Sequence, residues 1–143
     1  MPPTQNLQRF LDAQEASYSV ALTEITQGRK RSHWMWYVFP QIRGLGLSET
    51  AQFYALQNAA EAEAFLAHPV LGSRLVRISS ALLELKGHDA HPVFGSPDDV
   101  KLRSSMTLFA SQPGANPVFQ AVLDKYYAGH PDPNTLRILA QQA

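Results

Sequence analysis

The chain has no cysteine, which removes any disulfide framework, thiolate metal site or thiol nucleophile. It has no surplus of either charge. Twelve Lys and Arg stand against twelve Asp and Glu, which argues against sequence-independent binding to duplex nucleic acid or to an acidic membrane surface and leaves only local basic clusters open. No apolar run approaches the roughly 18 residues of a membrane span, and the opening MPPTQNLQRFLDAQE lacks the apolar core of a signal peptide. A cytoplasmic protein is therefore expected. Internal repeats, low-complexity tracts and alternating stretches of strand length are missing too. What is present is 143 residues, 45% of them apolar, enough to close one hydrophobic core without calling for a second domain. A single domain over 1–143 is expected, with residues 1–5 flexible.

The punctuation is that of an all-α protein. Polar cap residues followed by proline recur where apolar periodicity restarts: Ser96-Pro97, Asn116-Pro117 and Asp132-Pro133. From Asn6 onward, Leu7, Phe10, Leu11, Tyr18, Ala21, Leu22 and Ile25 fall on one stripe that ends before Gly28, with room for a break at 14–17. Ser48 can cap a helix carrying Ala51, Tyr54 and Ala55, and Asn58 can cap the run AAEAEAFLA, which His68-Pro69 ends. Leu71, Leu75, Ile78, Leu82 and Leu85 form the next stripe, with Gly87 as its C-cap. A compact orthogonal domain of about six to eight helices is expected.

Three features stand out from this plain pattern. The stretch SHWMWYVFPQIRGLG, residues 32–46, holds both tryptophans with a tyrosine, a phenylalanine and a methionine, closed by Pro40 and two glycines. As strand or as helix it is apolar on every side, so it is core, or a wall for a planar ring beside His33 and Gln41, or a contact surface. Arg74 falls inside the apolar stripe of its helix, where it must snorkel, pair or hold an anion. The helix SPDDVKLRSSMTLFA is apolar on two sides: Val100, Thr107 and Leu108 on one, Leu102, Met106 and Phe109 on the other. A helix so patterned is surrounded, and its polar seams need partners. Asp99 and Arg103 have ion-pair spacing. Alternatively Lys101, Arg103 and the first-turn amides face one anionic ligand.

No metal is expected, since the five histidines show no helical ligand spacing, and no G-x-S-x-G elbow points to a serine hydrolase. No organic cofactor is indicated. Glu49, Asp98, Asp99 and Asp124 are the carboxylates open to acid–base work, and spacing does not select among them.

SHWMWYVFPQIRGLGLS, EAEAFLAHPVLGSRL and FGSPDDVKLRSSMTLF, in that order, resemble a bacterial and fungal family of small proteins without an established activity, some of which have carried the label calpastatin. The resemblance runs from about Leu7 to Leu139. It implies a small, mainly helical domain, and it draws attention to Ser32, His33, Trp34, Trp36, Gln41, Gly72, Arg74, Phe94 and Lys101 among others. A fainter similarity is to the NAD and ADP-ribose associated superfamily, whose members remove ADP-ribose from bases. Leu47-Ser48-Glu49 with Tyr54 and Gln57, and Val100-Lys101 through Leu108-Phe109, carry it; that superfamily's tryptophan before the later helix has no counterpart at 95–99.

The expected site is thus a pocket for a small anionic, ring-bearing ligand of nucleotide or ADP-ribose type, formed by His33, Trp34, Trp36, Gln41, Arg74, Lys101 and Arg103. Glu49 is the candidate acid–base residue if there is N-glycosidase chemistry. The alternative is a non-catalytic interaction or structural module in which 32–46 is core or contact surface.

Overall fold

A computed structural model describes residues 7–142; the segment 1–5, for which flexibility is expected, lies outside them. The described residues form an all-α fold of nine helices: α1 (Gln8–Thr26), α2 (Met35–Val38), α3 (Glu49–Tyr54), α4 (Ala59–Ala67), α5 (Leu71–Leu83), α6 (His91–Phe94), α7 (Asp98–Ala110), α8 (Val118–Tyr127) and α9 (Pro133–Gln142). The expectation of six to eight orthogonal helices gives way to nine because α2 and α6 are single turns of four residues. So short a piece shows no 3.6-residue repeat, and a lone turn survives its nucleation cost only through tertiary packing. The only β-type pairing among the described residues is a parallel bridge between Ile42 and Leu56.

Four helix starts are those the cap residues announce. Ser48 accepts from the Ala51 amide at 3.1 Å, Asn58 from Glu61 at 2.9 Å, and Asn116 from Val118 at 2.9 Å. Asp132 is buried and accepts from the Thr135 amide and hydroxyl at 3.0 and 2.6 Å. Ser96 departs from this pattern: α7 begins after Pro97 with no side-chain cap. The first helix runs unbroken through 14–17, and α5 stops at Leu83, short of the Gly87 terminus its stripe predicts.

The core is threaded by rings. Phe10 of α1 meets Phe65 of α4 edge-on at 5.1 Å between centroids, Phe65 meets Phe109 of α7 at 5.5 Å, and Phe109 meets Phe119 of α8 at 5.8 Å. All four are fully buried, and one ring from each helix fixes the four relative to one another. As its pattern requires, α7 is the enclosed helix, in contact with α4, α6, α8 and α9. Val100 is the departure, 58% exposed at the end of its first turn.

A second aromatic row, Trp34–Phe39 at 6.1 Å and Phe39–Phe94 at 6.0 Å, ties the α1–α2 connection to α6. The anchor of that connection is Glu24, buried near the end of α1. Its carboxylate accepts from the amides of Arg31 and Ser32 at 2.9 and 3.0 Å, the Ser32 hydroxyl at 2.6 Å and the Trp34 indole at 2.9 Å. Burial alone would raise its pKa, but these bonds favour the charged form and hold the carboxyl down at about 2. Residues 31–34 are therefore fixed from beneath, with their outer side chains held in register.

Candidate functional site

Those outer side chains form one wall of a cleft of about 390 Å³, closed on the other side by Phe94 of α6, the Ser96-Pro97 connection and the first turn of α7. Residues 30–33, Met35 and Trp36 come from the α1–α2 side; Asp98 and Lys101 come from α7. His33 and Arg31 are exposed at the rim, whereas Trp36 is half-buried.

The two lysines of the cleft differ in how completely they are used. Lys30 Nζ donates to the Ser32 carbonyl at 2.6 Å, pairs with Asp98 at 2.8 Å and lies 5.0 Å from the Trp34 ring centroid. Its side chain is 8% exposed, so it is a fixed internal counter-ion. Lys101 Nζ has a 3.7 Å contact with the other oxygen of Asp98 and lies 5.4 Å from the Trp36 centroid, with 23% of its side chain exposed. Lys30 and Asp98 neutralise each other at short range, which leaves Lys101, with Arg31 nearby, as the cleft's net positive charge. A partly exposed ion pair of this length contributes at most about 1 kcal/mol. Lys101 can therefore turn to an incoming anion at little cost.

The remaining expected site residues lie elsewhere. Trp34 is 1% exposed and belongs to the core, its indole N–H satisfied by Glu24. Gln41 lines a separate small void of about 10 Å³ behind Trp36 and takes no part in the cleft. Arg74 neither lines the cleft nor pairs with a carboxylate: its guanidinium lies 5.2 Å from the Tyr18 centroid and makes a long 3.4 Å contact with Gln14, so it packs α5 on α1. Arg103 spans the carbonyls of His130 and Pro131 at 2.9 Å each, tying α7 to the turn before α9. The expected Asp99–Arg103 pair does not form, because Asp99 turns to His91 at 3.3 Å and to the Val100 amide. The first turn of α7 is not a free anion nest either, since the amides of Asp99, Val100 and Lys101 bond back to Gly95 and Pro97. Glu49 is exposed in the first turn of α3, outside the cleft lining.

Of the expected set, His33, Trp36 and Lys101 thus share one cleft. Sequence reasoning passes over Lys30 and Arg31, whose one signal is the basic run Arg29-Lys30-Arg31 before Ser32; Met35, Phe94 and Ser96-Pro97 are noted there, but not as members of this cleft. Also unmarked in the sequence is a larger cavity of about 680 Å³ between α4, α5, the 112–116 connection and α8. Among the described residues no helix is long and apolar enough to cross a membrane, and no three His, Cys, Asp or Glu stand together as a metal-binding group.

The fold is similar to the crystal structure of the conserved hypothetical protein Rv1873 from Mycobacterium tuberculosis. The two share 47% identity with a TM-score of 0.92, over 94% of this chain and 96% of that one. Comparison with curated proteins finds no match. Neither finding extends the resemblance to ADP-ribose glycosidases. With the helical order, the capped starts and the 47%-identical neighbour in agreement, the chain belongs to the family described as protein of unknown function (DUF1810), whose model it matches over residues 4–139.

Proposed function

We propose that the cleft between residues 30–36 and the start of α7 binds a small anionic ligand with a planar ring, of nucleotide or ADP-ribose type. The observation that carries the reading is the position of Lys101: among the described residues its ammonium engages only a half-exposed Trp face and one long ion pair, while the neighbouring Lys30 already neutralises Asp98. A ligand ring stacks on Trp36 as the ammonium head moves to the ligand's phosphate. Arg31 at the rim extends the positive field, and His33 stands beside it as a hydrogen-bonding group.

The reading stops at binding. Asp98, the one carboxylate among the lining residues, is engaged by both lysines, and Glu49 stands outside the cleft, so no carboxylate there supports the N-glycosidase reading.

Calorimetric titration of AMP, ADP, ADP-ribose and inorganic pyrophosphate into the protein tests the reading. The ring-bearing anions should bind more tightly than pyrophosphate. Lys101→Gln should weaken them more than about tenfold, since a charge-assisted contact contributes roughly 1.5–3 kcal/mol. No heat from any of the four at millimolar concentration would reject it.

A further inference from the structure

The cavity of about 680 Å³ on the far side of α5 has the dimensions of a site for a ligand of several residues, within the roughly 300–1,000 Å³ range of organic-ligand pockets. Its walls are apolar where Leu66, Val76 and Phe119 face it. A Cβ at Gly72 would collide with the Leu66 carbonyl, so α4 and α5 meet there backbone to backbone and the wall does not give.

Its polar groups are in the opposite condition to those of the cleft. Glu63 of α4 and Arg77 of α5 both line the cavity, and neither has an ion-pair or hydrogen-bond partner among the described residues, including each other. Gln112 is 6% exposed and its amide nitrogen is tied to the Leu108 carbonyl at 3.0 Å and to Ser111 at 3.4 Å. That anchorage fixes the side chain, while its carbonyl oxygen accepts no hydrogen bond among the described residues and stays open to solvent. An acceptor held in place and open to solvent is available to a ligand's N–H in exchange for a displaced water.

We infer that this cavity binds a short linear peptide with free termini. Opposite charges that line one cavity without meeting suit a zwitterion, whose α-carboxylate reaches Arg77 and whose α-ammonium reaches Glu63. The fixed Gln112 oxygen accepts a peptide N–H. The partly exposed Leu66 and Val76 surfaces take apolar side chains, and the volume sets the ligand at more than a single amino acid. This site shares no residue with the cleft at Trp36, and its assignment stands independently of that one.

The test is an amide-resolved NMR titration with the tripeptide Ala-Leu-Ala, its N-acetylated and C-amidated forms, and free leucine, followed at Gly114 and Ala115 in the cavity wall. The free tripeptide should shift these amides at millimolar concentration or below, with leucine weaker. Each cap should weaken binding about tenfold, the scale of one lost charge-assisted contact. Arg77→Gln should abolish the penalty of amidation alone and Glu63→Gln that of acetylation alone; both residues are exposed and unpaired, so the fold is retained. Silence at Gly114 and Ala115, caps without effect, leucine binding as tightly as the tripeptide, or penalties that persist in both variants would each overturn the inference.

Discussion

Trp34 and Trp36 stand two residues apart in one single-turn helix region and occupy opposite situations. Around Trp34 every polar atom has been assigned: the indole N–H goes to Glu24, the Glu24 oxygens to four donors, and the nearby Lys30 to Ser32 and Asp98. Around Trp36 the assignments are loose, with a partly exposed ammonium over its ring and a 3.7 Å ion pair beside it. A fully satisfied cluster specifies one conformation and has nothing left for a ligand; an under-used one beside it has binding capacity and a rigid frame to hold it. On the proposed function, the residues that look alike in sequence divide into scaffold and candidate site according to whether their polar valences are filled inside the protein.

The largest effect expected from breaking this contrast is on stability. Trp34→Ala should cost about 3–5 kcal/mol in chemical denaturation, since it empties the core and strands the Glu24 carboxylate. Trp36→Ala, removing a half-buried ring, should cost about 1–2 kcal/mol. Equal losses would erase the distinction.

Glu24 sharpens it through pH. A carboxyl held at about 2, against an ordinary 4.5, contributes stability that is fully present above about pH 4.5 and is lost as the pH falls toward 2, up to about 3 kcal/mol. Urea midpoints measured from pH 6 down to pH 2 should fall over that window. Glu24→Gln should be less stable at pH 6 and flatter below it; an unchanged slope in the variant would assign the acid sensitivity to other groups.

The next effect is on binding alone. Lys101→Gln should shift the thermal midpoint by no more than about 1 kcal/mol of stability, the worth of an exposed ion pair, while ligand affinity falls more than tenfold. The reverse outcome would make Lys101 part of the frame.

Smallest is Arg74→Gln. Because Arg74 pairs with no carboxylate among the described residues, its loss should cost about 1 kcal/mol, the scale of a cation–π contact, with ligand affinity unchanged. A loss of 3 kcal/mol or more would mean that a buried acid depends on it.

Local structure was the more legible part of this sequence. Ser48, Asn58, Asn116 and Asp132 act within three residues of themselves, so their capping bonds can be read from neighbours along the chain, and the stripe Leu71, Leu75, Ile78, Leu82 is buried as its spacing demands. His68 went further than its place before a proline indicated, accepting with Nδ1 from the Val70 and Leu71 amides to open α5. What periodicity leaves undecided is which partner a polar residue on an apolar stripe finds. Arg74 and Lys101 look alike on a helical wheel, yet one meets Tyr18, fifty-odd residues away in the chain, and the other meets Trp36. Asp99 shows the same limit: an i, i+4 arginine was available, but α6 brought His91 nearer and Arg103 found two carbonyls instead. The single-turn helices were silent because tertiary packing rather than local pattern makes them.

The division between the two tryptophans is tested most directly by the two indole N–H resonances of the protein in a ¹H–¹⁵N spectrum, recorded while ADP-ribose is added. The Trp36 resonance should move progressively to saturation, while that of Trp34, bonded to Glu24 in the core, stays in place. If the Trp34 resonance moves and Trp36 does not, or if neither moves at millimolar ligand, the assignment of Trp36 and Lys101 to a binding site is contradicted.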